Sequence, residues 1–202
     1  MTVPVLIRAD RVPAQPWRNG GGRTHELLTR PAGARNWRLR ISVAEVDREG
    51  PFSVFPGIRR WFTVLDGAGL QLKFHDSEQV LDAGHEPVEF DGEAPVECRL
   101  IDGPTRDLNL MHAGGAGLMQ VARSGESWQS EYAQRGLFTR LAGRWHAEGH
   151  KALDVPAFAL LWMDDAHAGA WTFRAAVGAS PAPNTRTADE PPVPAYWLAW
   201  DP

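Results

Sequence analysis

Arginine, set among aromatics, small polar residues and turn formers, is the chemistry this sequence offers. It occurs in Trp17-Arg18-Asn19-Gly20-Gly21-Gly22-Arg23-Thr24-His25-Glu26, and again in Gly50-Pro51-Phe52-Ser53-Val54-Phe55-Pro56-Gly57-Ile58-Arg59-Arg60. A guanidinium stays charged when partly buried and meets a carboxylate through two parallel N–H···O bonds. Arg38, Arg40 and Ser42 recur at every second residue, opposite a face of Trp37, Leu39, Ile41 and Val43. On an open sheet such a polar face is solvated; in a barrel with its site inside, it lines the cavity. Asp107 and Asn109 share a strand face in the same way, placed to orient an arginine or to hydrogen-bond a ligand. Capture of a small polar or anionic molecule is the chemistry these residues point to.

Other chemistries find less support. His25, His75, His85, His112 and His167 are solitary, and no His-x-His of a metal-binding cupin is present. His146 and His150 have helical i, i+4 spacing, but Gly143 and Gly149 weaken a helix there and no Glu follows the first His. Neither a metal nor another cofactor is expected. The triple glycine reads either as a nest of anion-binding N–H groups or as a tight bend; Arg23-Thr24 after it is not the continuation of a phosphate loop. A Gly-x-Ser-x-Gly elbow is missing. Glu26 is the motif-embedded candidate for a general base, with His25 pointing to the other side of the strand.

Composition narrows the class. A net charge of −4 argues against a nucleic-acid partner. Cys98 is alone, so no internal disulfide forms; flanked at every second position by Val96 and Leu100, it reads as an inert core thiol in a reducing compartment. The N-terminus has no apolar signal segment, and no run approaches the ~18 apolar residues of a membrane span. The expectation is a soluble cytoplasmic protein without a membrane partner, with a homodimer left open. The nine tryptophans fall mostly on apolar strand faces and read as core.

The elements that must position these residues are strands. Twenty glycines and sixteen prolines suit many short strands and tight turns better than a helix bundle. Period-2 alternation covers 37–44, 60–65, 70–74, 96–101 and 108–111 in the first half, punctuated by Asp66-Gly67, Asp91-Gly92 and Asp102-Gly103. Ala113-Gly114-Gly115-Ala116-Gly117 is the best internal break. Beyond it, 117–122, 127–134, 158–163, 170–174 and 196–200 read as further strands, and the proline-rich 179–194 as a long loop. No stretch has a well-capped helical period. Two sets of strands follow, in two barrels or one large sandwich.

Four of these motifs, in order, resemble the HutD/Ves family: Trp17 to Glu26, Arg40-Ile41-Ser42-Val43-Ala44, Gly50 to Arg60, and Asp107-Leu108-Asn109-Leu110-Met111. The match spans about the first 110 residues; the second half fits in length and strand-like texture. The resemblance implies an all-β bicupin, two small barrels of the double-stranded β-helix type without the usual metal ligands, the first in residues 1–112 and the second in 113–202. It also implies an accessory or regulatory role in histidine utilisation, through binding of a small acid. The pocket positions it implies are Arg18, Asn19, Thr24, Glu26, Arg40, Ser42, Phe52, Ser53, Arg60, Asp107 and Asn109. Two departures stand out: the doubled Arg59-Arg60, and Arg18 where many members carry Lys. Non-enzymatic binding is the preferred reading; a metal-independent isomerase or epimerase of a small acid is the alternative.

Overall fold

The computed structural model describes residues 3–164, 169–178 and 193–202. The expected loop 179–194, apart from Val193 and Pro194, and His167 lie outside them. The described chain is all-β: strands joined by turns, with one short 3-10 turn at Ala9–Arg11. Four antiparallel sheets form. A six-stranded sheet takes Ala14–Pro16, Gly22–Arg30, Leu39–Val46, Thr105–Ala113, Ile58–Asp66 and Val88–Asp91 in that spatial order, and a four-stranded sheet holds Gly50–Pro51, Glu97–Leu100, Leu70–Lys73 and Glu78–Leu81. The second half repeats the plan with a four-stranded sheet and a five-stranded one that borrows a strand from the first half. Val5–Arg8 crosses over to pair with Ala159–Met163 in the five-stranded sheet. Among the described residues no helix is long and apolar enough to cross a membrane.

Alternation decides the layering. Leu39, Ile41, Val43, Leu108 and Leu110 are buried against Met119, Phe138, Leu160, Tyr196 and Leu198, so the two large sheets pack back to back. The opposite face of the six-stranded sheet meets its smaller partner through Val46, Phe62 and Val64 against Leu70, Leu72, Val96 and Cys98. Cys98 is thus core, and burial pushes its thiol up to about 12. In the second half, stacked and edge-on tryptophans at 128, 145, 171 and 197 fill the equivalent interior. Arg140, buried, ties the halves: it donates to the carbonyls of Leu65 (2.6 Å), Ala83 (3.3 Å) and Val193 (2.9 Å).

Two expectations need correction. The strand begins at Leu39, because residues 32–36 turn just before it. Trp37 therefore leaves the apolar face and packs 6.5 Å from the Phe55 ring, while Arg38 lies 5.9 Å over Trp200, away from Arg40. Residues 127–134 are not one strand: Ser127–Trp128 and Gln134–Thr139 are separate. Between them Ser130 Oγ and Asp201 Oδ1 accept the N–H groups of Tyr132 and Ala133. Of the two readings open for the triple glycine, the structure shows the bend. Gly20 N–H donates to the Trp17 carbonyl and Gly21 N–H to Asn19 Oδ1, leaving neither for an anion. Gly22 has a separate reason: a Cβ there would sit 2.2 Å from the Glu45 carbonyl oxygen.

Candidate functional site

Residues directly opposite one another in an antiparallel ladder project from the same face. Met111, on the central strand, stands opposite Arg40 on one side and Arg60 on the other. One step along, Asn109 faces Ser42 and Phe62; the next, Asp107, faces Ala44 and Val64. Thr24 lies opposite Ala44 from the next strand out. A single inner face therefore gathers residues from four sequence motifs. The loop after Pro51 closes over it, pinned where Phe52 N–H donates to the Val96 carbonyl and Phe55 N–H to the Gly92 carbonyl. The opposite lip is the 15–19 segment, held by Trp17 Nε1–H donating to Thr24 Oγ1 at 2.8 Å.

Between these walls lies a cavity of about 410 Å³, and Arg18, Arg40 and Arg60 all line it, with no acidic residue among the lining side chains. Arg60 forms its buried base. Its Nε–H and an Nη2–H both donate to Asn109 Oδ1, at 2.9 and 2.7 Å, and its guanidinium lies 4.6 Å from the Phe52 ring centroid and 5.3 Å from that of Phe90. Burial pulls the Arg60 pKa down to about 10, opposed by Asp107 and reinforced by Arg40, so the group is cationic at neutral pH. Arg40, mostly buried, donates through Nε to Glu26 Oε2 at 3.0 Å and covers the Trp37 ring at 5.9 Å. Arg18 sits exposed at the rim.

Nine of the eleven residues singled out in the sequence line this cavity: Arg18, Asn19, Thr24, Arg40, Ser42, Phe52, Ser53, Arg60 and Asn109. Glu26 does not; it reaches the site only through Arg40. Asp107 is also not a lining residue, being completely buried on the same sheet face. Its Oδ2 accepts from Thr105 Oγ1 at 3.2 Å, and burial pushes its carboxyl up to about 8 against the Thr105 bond and Arg60, which lower it. Gln15, Trp17, Phe55 and Met111 also line the cavity without having been singled out. Met111 was available from alternation, two residues beyond Asn109, and Trp17 from the motif it opens. His25 points away, its Nδ1 by the Val12 carbonyl and its Nε2 by Glu45. Among the described residues no three His, Cys, Asp or Glu side chains group as a metal site.

The fold defines a class, the cupin-like all-β proteins, and the candidate cavity lies on the inner face of one antiparallel sheet. Protein Ylba of E. coli shares this fold, with a TM-score of 0.66 over 97% of this chain and 89% of its own at 9% identity. Within that class the chain belongs to the HutD family, whose profile matches residues 9–179. A conserved protein of unknown function from Pseudomonas aeruginosa PAO1 superposes over the whole of both chains, with a TM-score of 0.83 and 25% identity. Protein Ves of Cronobacter sakazakii is 30% identical over 78% of this chain and 86% of its own. An uncharacterized 21.2 kDa protein from the hutC 3' region of Pseudomonas putida is 39% identical over 112 residues. That last match spans 54% of this chain and 57% of the relative, little more than half of each.

Proposed function

We propose that this chain binds a small carboxylic acid in the arginine-lined cavity without transforming it, as an accessory or regulator of histidine utilisation in the cytoplasm. The observation that carries the reading is the presence of three arginines in one cavity whose lining contains no acid. Arg60 spends two of its N–H bonds on a neutral amide oxygen, so its charge is held in place without being cancelled by a directly bonded carboxylate. In this reading Arg60 and Arg40 grip the carboxylate, Arg18 draws it in at the rim, and Ser42 and Thr24 meet its other polar atoms. The fold is read as two cupin barrels, the first in residues 1–112 carrying the site and the second in 113–202 bracing it, with Val5–Arg8 crossing over to the second. The relative from a hutC 3' region supports the metabolic setting. An isomerase would need a base facing its substrate; Glu26, the candidate for that role, is engaged with Arg40 outside the lining.

Calorimetric titration tests the reading, with mono- and dicarboxylic acids, urocanate and N-formylated amino acids set beside their uncharged amides. The acids should bind and leave unchanged, and the amides should not. Equal binding of acid and amide would refute it, and turnover of any of them would move the protein to the enzyme class.

A further inference from the structure

Asp107 is an ionisable group of this sheet face that the binding role leaves unused. It is fully buried, one of its carboxyl oxygens accepts from Thr105 Oγ1, and the other, Oδ1, has no hydrogen-bond partner. A buried carboxylate normally requires several donors or a bonded cation to remain ionised. The neighbouring cation, Arg60, gives its hydrogen bonds instead to Asn109, two residues further along the same strand face. Asp107 thus faces Arg60 through space rather than through a bonded pair.

We propose that Asp107 is a proton-linked counter-charge to Arg60, taking up a proton as an anion settles on the arginine, so that ligand and proton bind together. The inference rests on the carboxylate-binding reading and names how that same site responds to pH.

The surrounding groups isolate Asp107 as the switch. From Ile58–Asp66 it is faced by Arg60, from Glu97–Leu100 by Cys98, and on its own strand by Thr105; Arg40 acts on Arg60 from Leu39–Val46. Arg60, with a pKa of about 10, keeps its charge below that pH, and the Cys98 thiol, pushed up to about 12, stays neutral. Among the described residues no histidine lines the cavity. Of these groups Asp107, whose carboxyl titrates at about 8, is the one that changes charge near neutral pH. Above about pH 8, where the Asp107 carboxyl has lost its proton, its carboxylate is the charge that offsets Arg60 in the empty cavity. An incoming anion takes over that role and repels a second negative charge in the same buried space, which raises the Asp107 affinity for a proton. Linkage makes the effect reciprocal: the proton tightens the anion by the same factor.

The experiment titrates the parent and Asp107→Asn with acetate and succinate at about pH 6 to 9. Two buffers of different ionisation enthalpy are used, so that proton uptake is read directly. The parent's affinity should be flat near the low end and weaken by up to about tenfold per pH unit above pH ~8. Its proton uptake should rise from near zero to approach one per ligand, whereas Asp107→Asn should bind with flat affinity and no uptake. Ligand-free melts give an independent reading. The folded carboxyl, raised to about 8, holds a proton that the unfolded chain has released. The parent should therefore lose stability as pH rises from its unfolded value of about 4 through 8, and Asp107→Asn should lose less. If the variant does not fold, proton uptake by the parent carries the test alone. Binding without proton uptake at the alkaline end overturns the linkage and leaves carboxylate capture standing. A parent that binds neither acid overturns both.

Discussion

Truncating Arg60 separates a binding arginine from a structural one, because the two roles predict effects of different size. On the folding side opposing terms meet. Arg60→Ala leaves Asn109 Oδ1 without its two donors in a buried position, which costs about 1–3 kcal/mol, and removes a cation from among three phenylalanine rings at 4.6 to 5.6 Å. Against this, a guanidinium with only 8% exposure and no bonded carboxylate is itself unfavourable, as its pKa of about 10 records, and alanine relieves that burial. The net change should stay within about 2 kcal/mol, a shift of roughly 4–8 °C in Tm for a chain of this size. On the binding side nothing compensates. A ligand carboxylate left unpaired in a desolvated cavity loses about 2–5 kcal/mol, or roughly 30-fold to several-thousand-fold in affinity. Arg60→Lys should also weaken binding, since an ammonium keeps the charge but cannot span two oxygens and Asn109 together. Calorimetric titration with small carboxylates, run beside thermal melts, reads both quantities on the same samples. An alanine variant that binds as tightly as the parent removes Arg60 from the site. One that has lost binding only because it has unfolded at the assay temperature shows that the arginine's role is structural.

The remaining predictions concern the frame. Arg140→Met should lower Tm by roughly 6–12 °C, corresponding to about 3 kcal/mol for buried carbonyls stripped of their donor, and leave carboxylate affinity unchanged in the folded protein at low temperature. Gly22→Ala should destabilise by about 1–3 kcal/mol, since the added methyl meets backbone that cannot move freely; because Trp17 packs there too, the rim should loosen and ligand dissociation quicken. Denaturant melts and stopped-flow dissociation check this pair. Cys98 should resist alkylation in the native protein and react only on unfolding, as a buried thiol with a pKa of about 12 must; rapid native labelling would contradict the packing of the small sheet.

How much of this was legible in the sequence follows from what each residue depends on. The faces of Arg40 and Ser42, and of Asp107 and Asn109, depend only on the period of a strand, which sequence displays directly. Their meeting on one cavity depends on the register that sets Met111 between Arg40 and Arg60, which alternation alone cannot supply. Trp37 and Arg38 continue the alternation on paper, but the turn before Leu39 breaks the geometry that gives alternation its meaning. Residues 127–134 fail for a different reason: side chains of Ser130 and Asp201 take backbone donors a ladder would have used. Arg140 was invisible, because its partners are carbonyls at 65, 83 and 193 that no local pattern links to it. For Asp107 the face was readable and the scarcity of donors around it was not.

The two halves play unequal parts in this arrangement, and the sheet explains why. Arg40 lowers the pKa of Arg60, so the two cations repel, and holding them side by side requires a scaffold that cannot relax outward. The sheet that carries the candidate site has apolar side chains on its outer face locked against the second half, and Arg140 fastens that contact from within. Arg40 and Arg60 stem from strands on either side of a single central strand, about 10 Å apart at the backbone by ordinary strand spacing. That separation suits guanidinium groups converging on one small anion from two sides. Loss of the second half's packing should therefore be felt in the cavity as lost preorganisation, even though no described residue of that half lines it.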